Sequence, residues 1–173
     1  ISAYGGIQKI RINKGGKFKV EKIILSKKNI NKLQTSLFLV FTEEVRNSSI
    51  IVKKQRKNKN IIENYDVIKS KVDKFEKFFK SGDMKNIGFL FHEHWLEKKK
   101  LAKEITNNYF DIIYKKLLQS KIFYGGKIIG AGGGGFFLMV SKKPNNAESF
   151  LKKNNLRYKK LKFDFDGAKV IFR

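Results

Sequence analysis

The chain has 173 residues, enough for one domain with a proper core or for one domain carrying a piece of another, and too few for a large multidomain protein. Hydrophobic residues make up 41% of it, with 16 phenylalanines, which excludes a disordered polyelectrolyte despite a formal net charge of +24. There is no cysteine, so disulfides, thiolate nucleophiles and cysteine metal sites are excluded together.

In chain order, 7–11 and 18–25 are short alternating stretches around Asn13-Lys14-Gly15-Gly16, which predicts a β-hairpin. A lone hairpin is marginal, so this one must pack on the rest of the chain or on material preceding Ile1. The continuous apolar run Leu37-Phe38-Leu39-Val40-Phe41, ending at Thr42, predicts a buried strand. Residues 47–55 turn helical. Ile61, Tyr65, Ile68, Val72, Phe75 and Phe79 then recur every three or four residues, which predicts one buried helical stripe over 61–79. Ser81-Gly82-Asp83 breaks the run, and Asp83 is a candidate cap for a helix through Ile87, Phe91 and Trp95 to about Leu101. Asn107-Asn108 marks another break before a helix over 110–118. After Gly125-Gly126 short strands return around a glycine loop, Pro144 opens a helix to about Lys153, and strands are expected at 156–163 and 168–172. A few strands with several helices imply an α+β layered fold.

The most informative segment is Gly130-Ala131-Gly132-Gly133-Gly134-Gly135, set between Ile128-Ile129 and the apolar run 136–140. So many glycines imply positive φ or close approach, and such a segment can present free N–H groups to a phosphate. A P-loop would continue into Gly-Lys-Ser/Thr, but Phe136-Phe137 follows; a dinucleotide fingerprint needs a helix there, whereas 136–140 reads as a strand. The loop is therefore expected to join strand to strand and to act through its backbone.

Other candidates stand near it in pattern. Lys127, three residues before the loop, is a candidate phosphate contact, against the ordinary fate of a solvated lysine. Thr42 and Arg46 follow the apolar strand, and a guanidinium suits a phosphate or carboxylate, with an ion pair to Glu43 or Glu44 as the competing reading. His92 and His94 are two apart and diverge around a helix, where zinc sites want a spacing of four; no metal site is expected, and His94 or Trp95 is expected to support a pocket or core. Of the 39 basic residues 34 are lysine, spread from end to end. That distribution favours anionic small molecules over a dedicated nucleic-acid surface, where arginine and stacking aromatics concentrate. No signal peptide or membrane-spanning run is seen, so the cytoplasm is the expected location and no membrane partner is expected.

The stretch 126–138 as a whole resembles the third conserved motif of the galactokinase, homoserine kinase, mevalonate kinase and phosphomevalonate kinase (GHMP) superfamily, and within it the D-glycero-D-manno-heptose 7-phosphate kinases. Ile1-Ser-Ala-Tyr-Gly-Gly6, Leu39-Val-Phe-Thr42 with Arg46, Trp95 with Lys98-Lys99, and Gly167-Ala-Lys-Val-Ile171 extend the resemblance over nearly the whole chain. Glu43 departs from it, standing where those kinases tend to have glycine. The resemblance implies a two-layer ferredoxin-like sandwich with added helices over 33–173, the carboxy-terminal domain of a kinase, with 1–32 as the last strands of a truncated amino-terminal domain. It implies ATP, Mg2+ and a sugar phosphate as partners, Gly130 to Gly135 near the nucleotide phosphates, and Thr42, Arg46 and Lys127 toward the substrate. It also implies that the catalytic aspartate and the ATP loop precede Ile1, so that no residue of this chain is catalytic and the chain alone is inactive.

Overall fold

A computed structural model gives the fold and describes residues 4–44 and 48–169. The expectations placed on Ile1, Ser2 and Ala3, on Arg46, and on 170–172 lie outside those residues.

The chain opens with β1 (Gln8–Ile12) and β2 (Phe18–Lys22), antiparallel with Ile10 opposite Val20. Asn13 closes the turn twice, its carbonyl accepting from Gly16 N–H at 3.0 Å and its side chain from Lys17 N–H at 3.0 Å. Next comes α1 (Lys27–Ser36), capped by the Ser26 hydroxyl accepting from Asn29 N–H at 3.2 Å. It runs directly into β3 (Leu37–Phe41), the expected apolar strand.

Between β3 and the next strand lies a helical insertion: α2 (Ser48–Gln55), α3 (Ile61–Lys69), α4 (Val72–Ser81), α5 (Met84–Lys99), a 3-10 turn (Lys103–Ile105) and α6 (Asn108–Gln119). The single stripe expected over 61–79 is two helices. Ser70 breaks it, its hydroxyl donating to Val67 O at 2.8 Å, and neither α3 nor α4 contains a buried residue. Tyr65 and Val72, expected on the buried face, are 43% and 41% exposed, so this pair of helices covers a rim. Asp83 does cap α5, its carboxylate accepting from Asn86 N–H at 3.1 Å. Asn107 caps α6 in the same way, accepting from Phe110 N–H at 2.8 Å.

The chain then forms β4 (Phe123–Ile128), β5 (Phe136–Ser141), α7 (Pro144–Lys153), with Pro144 in its first turn, and β6 (Tyr158–Lys160). The sheet order is β4-β5-β3-β6, every neighbour antiparallel. That is the β-α-β-β-α-β topology of a ferredoxin-like sandwich, with its first crossover expanded into helices, as expected. One sheet face contributes Phe38, Val40, Phe137 and Met139 to a core with Trp95, α6 and α7. The other contributes Leu37 and Val140 to a second core with Leu33, Met84, Ile87 and Phe91. Helix α5 supplies both cores and crosses β4 at close range. A Cβ on Gly88 would stand 2.4 Å from Tyr124 Cβ, and one on Gly125 2.3 Å from Gly88 O, so only glycines permit this approach.

The strand expected over 156–163 is only three residues long. Beyond it the chain turns back to the beginning of the molecule: Phe163 N–H donates to Gln34 Oε1 at 2.8 Å and Gly6 N–H to Asp164 O at 2.6 Å. Ala168 and Lys169, expected to start a last strand, are not in one. Among the described residues no helix is long and apolar enough to cross a membrane.

Candidate functional site

The hairpin β4–β5 closes with Ile129 N–H donating to Phe136 O at 3.0 Å, and 130–135 form its tip, joining strand to strand as the flanking pattern predicts. Gly130, Gly132, Gly133, Gly134 and Gly135 all have positive φ, from +72° to +145°. Four other segments pin the tip. From the end of β3, Thr42 donates to Gly135 O with both its N–H and its hydroxyl, each at 2.9 Å. From α2, Gln55 Nε2 reaches Ala131 O at 3.0 Å. The 3-10 turn takes Gly133 N–H on Ile105 O at 2.9 Å, and α5 sends Lys98 Nζ to Gly130 O.

The sequence suggests a row of free N–H groups, and the structure divides that row. Gly133 and Gly135 donate to backbone carbonyls, of Ile105 at 2.9 Å and Glu44 at 2.8 Å. The N–H groups of Gly130, Ala131, Gly132 and Gly134 have no acceptor among the described residues. The loop is thus rigid on one side and open on the other. Thr42, expected toward a substrate, is fully buried beneath the loop with its hydroxyl committed to Gly135 O. Glu43 has φ +59°, a left-handed backbone that explains why glycine suits this position. Its carboxylate, drawn below the ordinary range by the Arg157 guanidinium, pairs with both Arg157 Nε at 2.8 Å and Nη2. Beside this pair, Phe41, Phe136, Leu156 and Tyr158 line an open cleft of about 670 Å³.

On the opposite flank of the loop lie Lys98 and Lys127. Lys98 is 8% exposed, and Gly130 O is its one acceptor among the described residues. Burial, with the charge of Lys127, pushes its ammonium down to about 8. Lys127 follows Gly126 on β4 and lies with Nζ 5.4 Å from the centre of the Phe91 ring; burial lowers its pKa too. No carboxylate among the described residues pairs with either. His94 shares a face of α5 with Lys98, one turn away. Burial and the charges of Lys127, Lys98 and Lys71 push it down to about 3, so it is neutral at physiological pH, with Nδ1 buried and without a hydrogen-bond partner.

His92 diverges from His94. Its Nδ1 is 2.8 Å from the Tyr114 hydroxyl, which donates to Gly126 O at 2.8 Å and accepts from Gly126 N–H at 3.3 Å. With the hydroxyl proton spent on Gly126 O, His92 must be the donor to Tyr114, which fixes the Nδ1–H tautomer. Trp95 is wholly buried against Phe137 and Tyr114. Gln55, Ile105 and Tyr114 are parts of the site that the sequence reading missed. Their roles depend on partners 12 to 76 positions away, and no local signal marks them. Lys98 stands in the sequence only as part of the Trp95 and Lys98-Lys99 resemblance, and no local spacing marks it as buried.

Residues 75–160 match the family described as GHMP kinases C terminal. No curated protein matches the chain. Among solved structures it is similar to a mevalonate kinase, at 23% identity and a TM-score of 0.68 over 93% of this chain and 48% of that one. It is similar to the L. major mevalonate kinase in complex with R-mevalonate, at 18% identity and a TM-score of 0.67 over 88% of this chain and 45% of that one. A D-glycero-D-manno-heptose 1-phosphate kinase from Bacteroides thetaiotaomicron matches at 19% identity and a TM-score of 0.59, over 99% of this chain and 47% of that one. These likenesses agree on the fold and do not rank one acceptor above another. The chain spans about half the length of the structures it matches.

Proposed function

We propose that this GHMP kinase C-terminal domain belongs to an ATP-dependent kinase whose acceptor is a sugar phosphate, with D-glycero-D-manno-heptose 7-phosphate and its anomeric hydroxyl as the specific reading. The observation that carries the proposal is the pinned glycine tip, with four unspent N–H groups beside the buried Lys98 and the half-buried Lys127, neither paired with a carboxylate among the described residues. Phosphoryl transfer is catalysed mainly by alignment and by charge stabilisation, and rigid donors facing a cationic pocket supply both. In this reading Gly130 to Gly135 lie against the nucleotide phosphates, Lys127 and Arg46 meet anionic oxygens, and Thr42 acts from beneath by holding the loop.

The remaining parts of the machine are assigned to residues preceding Ile1, with 1–32 as the last strands of that amino-terminal domain. They include the catalytic aspartate, the ATP loop and the groups that bind Mg2+. Among the described residues no group of three or more His, Asp or Glu side chains could hold a metal ion. The γ-phosphorus to bridging-oxygen bond of ATP breaks and a new bond forms to the anomeric oxygen, whose proton would pass to the aspartate assigned to the amino-terminal domain, giving the 1,7-bisphosphate and ADP.

The test compares the 173-residue chain with the same chain extended by the residues encoded upstream. ATP-dependent transfer is measured to heptose 7-phosphate, galactose and mevalonate. The extended protein is expected to phosphorylate the heptose phosphate and the short chain none of them. Transfer by the short chain alone would refute the division of labour, and preference for mevalonate or galactose would refute the acceptor.

A further inference from the structure

Two lysines of this chain are equally buried and differently served. Lys9 and Lys98 are each 8% exposed. Lys9 has two carboxylates, Asp73 and Glu76, each at 2.6 Å. Lys98 has none, only a carbonyl oxygen, which leaves two of its three ammonium protons without an acceptor. An unpaired buried cation is costly, and a second one nearby adds repulsion. Lys127 is that second cation, held over the Phe91 ring, which offers the attraction of a π face and no countercharge. Both lie at the foot of the glycine tip: Lys98 touches Gly130, and Lys127 precedes it by three residues.

We propose that Lys98 and Lys127 form a pocket for one phosphate dianion, whose remaining oxygens take the unspent N–H groups at the start of the glycine loop. Two ammonium groups match two negative charges, where a carboxylate would leave one unbalanced. On the two elements that carry the pair, the neighbouring groups support an anion. On α5, His94 is neutral, and Glu93 is engaged by Lys71 at 2.7 Å; β4 brings Lys127 alone. The Tyr114 hydroxyl holds Gly126, the residue before Lys127, and so positions that side chain from behind. The inference rests on the kinase reading for the origin of the phosphate, either the acceptor's ester or the nucleotide, and on the chain's own geometry for the pocket.

Inorganic phosphate is the probe. Calorimetric titration of the 173-residue chain should show binding that weakens at least tenfold in Lys98→Met and in Lys127→Met and is unchanged in Lys142→Met. Equal binding in all three variants overturns the pocket. An unmutated readout guards against misfolding: the side-chain NMR titration of Lys98, with a midpoint of about 8 in the free protein, should move upward at saturating phosphate, and an unmoved midpoint overturns the proposal. Competition separates the sources. Displacement of phosphate by a hexose 6-phosphate assigns the pocket to the acceptor, displacement by Mg2+-ATP assigns it to the nucleotide, and displacement by neither refutes a phosphate-ester site. The kinase reading can fail separately. Phosphate binding that needs both lysines, in an extended protein that transfers no phosphoryl group, would remove the kinase and leave the pocket. Phosphoryl transfer with phosphate binding indifferent to both lysines would do the reverse.

Discussion

The burial of Lys98 should be visible as a pH dependence of stability. Desolvation, then the charge of Lys127, lowers its ammonium from 10.5 to about 8. Because the folded pKa is the lower one, the unfolded chain holds more protons between about 8 and 10.5, and stability rises with pH across that window. Below 8 the penalty is fully present. At about 1.4 kcal/mol per pH unit, the drop is worth about 3 kcal/mol. Many other lysines titrate in the same range, so the informative quantity is the difference between the wild type and Lys98→Met. That difference should move in favour of the wild type by about 3 kcal/mol between pH 7 and 10.5. Urea unfolding at constant ionic strength measures it, provided the m-value stays constant. Lys127 remains in both proteins, and in the variant it loses the repulsion of Lys98, which trims the difference without reversing it. Saturating phosphate should flatten the curve, because a bound dianion removes the reason for the depressed pKa. Stability curves that run parallel from pH 7 to 10.5 would refute the assignment of Lys98 as a buried, uncompensated cation.

The glycine tip gives an ordered pair. Gly130→Ala meets no atom within 4 Å and bears only its φ of +72°, about 1 to 2 kcal/mol, whereas Gly133→Ala has the same φ and adds a contact of 2.9 Å to Ile51 Cδ1. Thermal unfolding should place Gly133→Ala about 1 to 3 kcal/mol below Gly130→Ala, and the opposite order would contradict the packing. Thr42→Val removes the hydroxyl donation to Gly135 O while keeping shape, at about 1 kcal/mol, and should speed hydrogen exchange at Gly133 and Gly135; unchanged exchange would show that Thr42 does not hold the loop. Lys9→Met leaves Asp73 and Glu76 without their shared cation and should raise exchange in β1 and β2 while sparing β3 and β5. In the wild type, Lys80 and then Lys9 hold the Glu76 carboxyl down to about 2, so its contribution is complete above its ordinary value of 4.5 and lost as pH falls toward 2. In Lys9→Met that loss should still begin near 4.5 but end at a higher pH and be smaller, with Lys80 as the remaining partner.

What the sequence made legible is what neighbouring residues decide. The Asn13 to Gly16 turn, the Asp83 cap, Pro144 in the first turn of α7 and the strand over 37–41 each depend on a few adjacent side chains. The strand-to-strand setting of the glycine loop was readable because 136–140 lacks helical spacing. The break at Ser70 was not, since the apolar spacing continues through it and neither glycine nor proline marks it. The strand expected over 156–163 stops at Lys160 for a tertiary reason: Phe163 packs against Phe165 and bonds to Gln34, and Asp164 O accepts from Gly6 N–H. Lys98 is the sharpest case. Among 34 lysines nothing local says which is buried, and only the approach of α5 to β4 through Gly88 and Gly125 encloses it.

Charge also has to be read by location. A net +24 raises the encounter rate with any anion, and salt screens that effect within about 10 Å at 0.1 M. Most of the ion pairs involve exposed or half-exposed groups, such as Lys100 with Glu97 at 2.8 Å, and such pairs select no ligand. Two desolvated ammonium groups differ in kind, because in a low-dielectric pocket each interaction is several times stronger than at the surface. The fold bears their cost where the glycine tip also leaves four N–H groups without an acceptor among the described residues. Local rules broken together at one place mark a site kept for a ligand. The surface lysines therefore gather anions, and Lys98, Lys127 and the glycine tip decide which one stays.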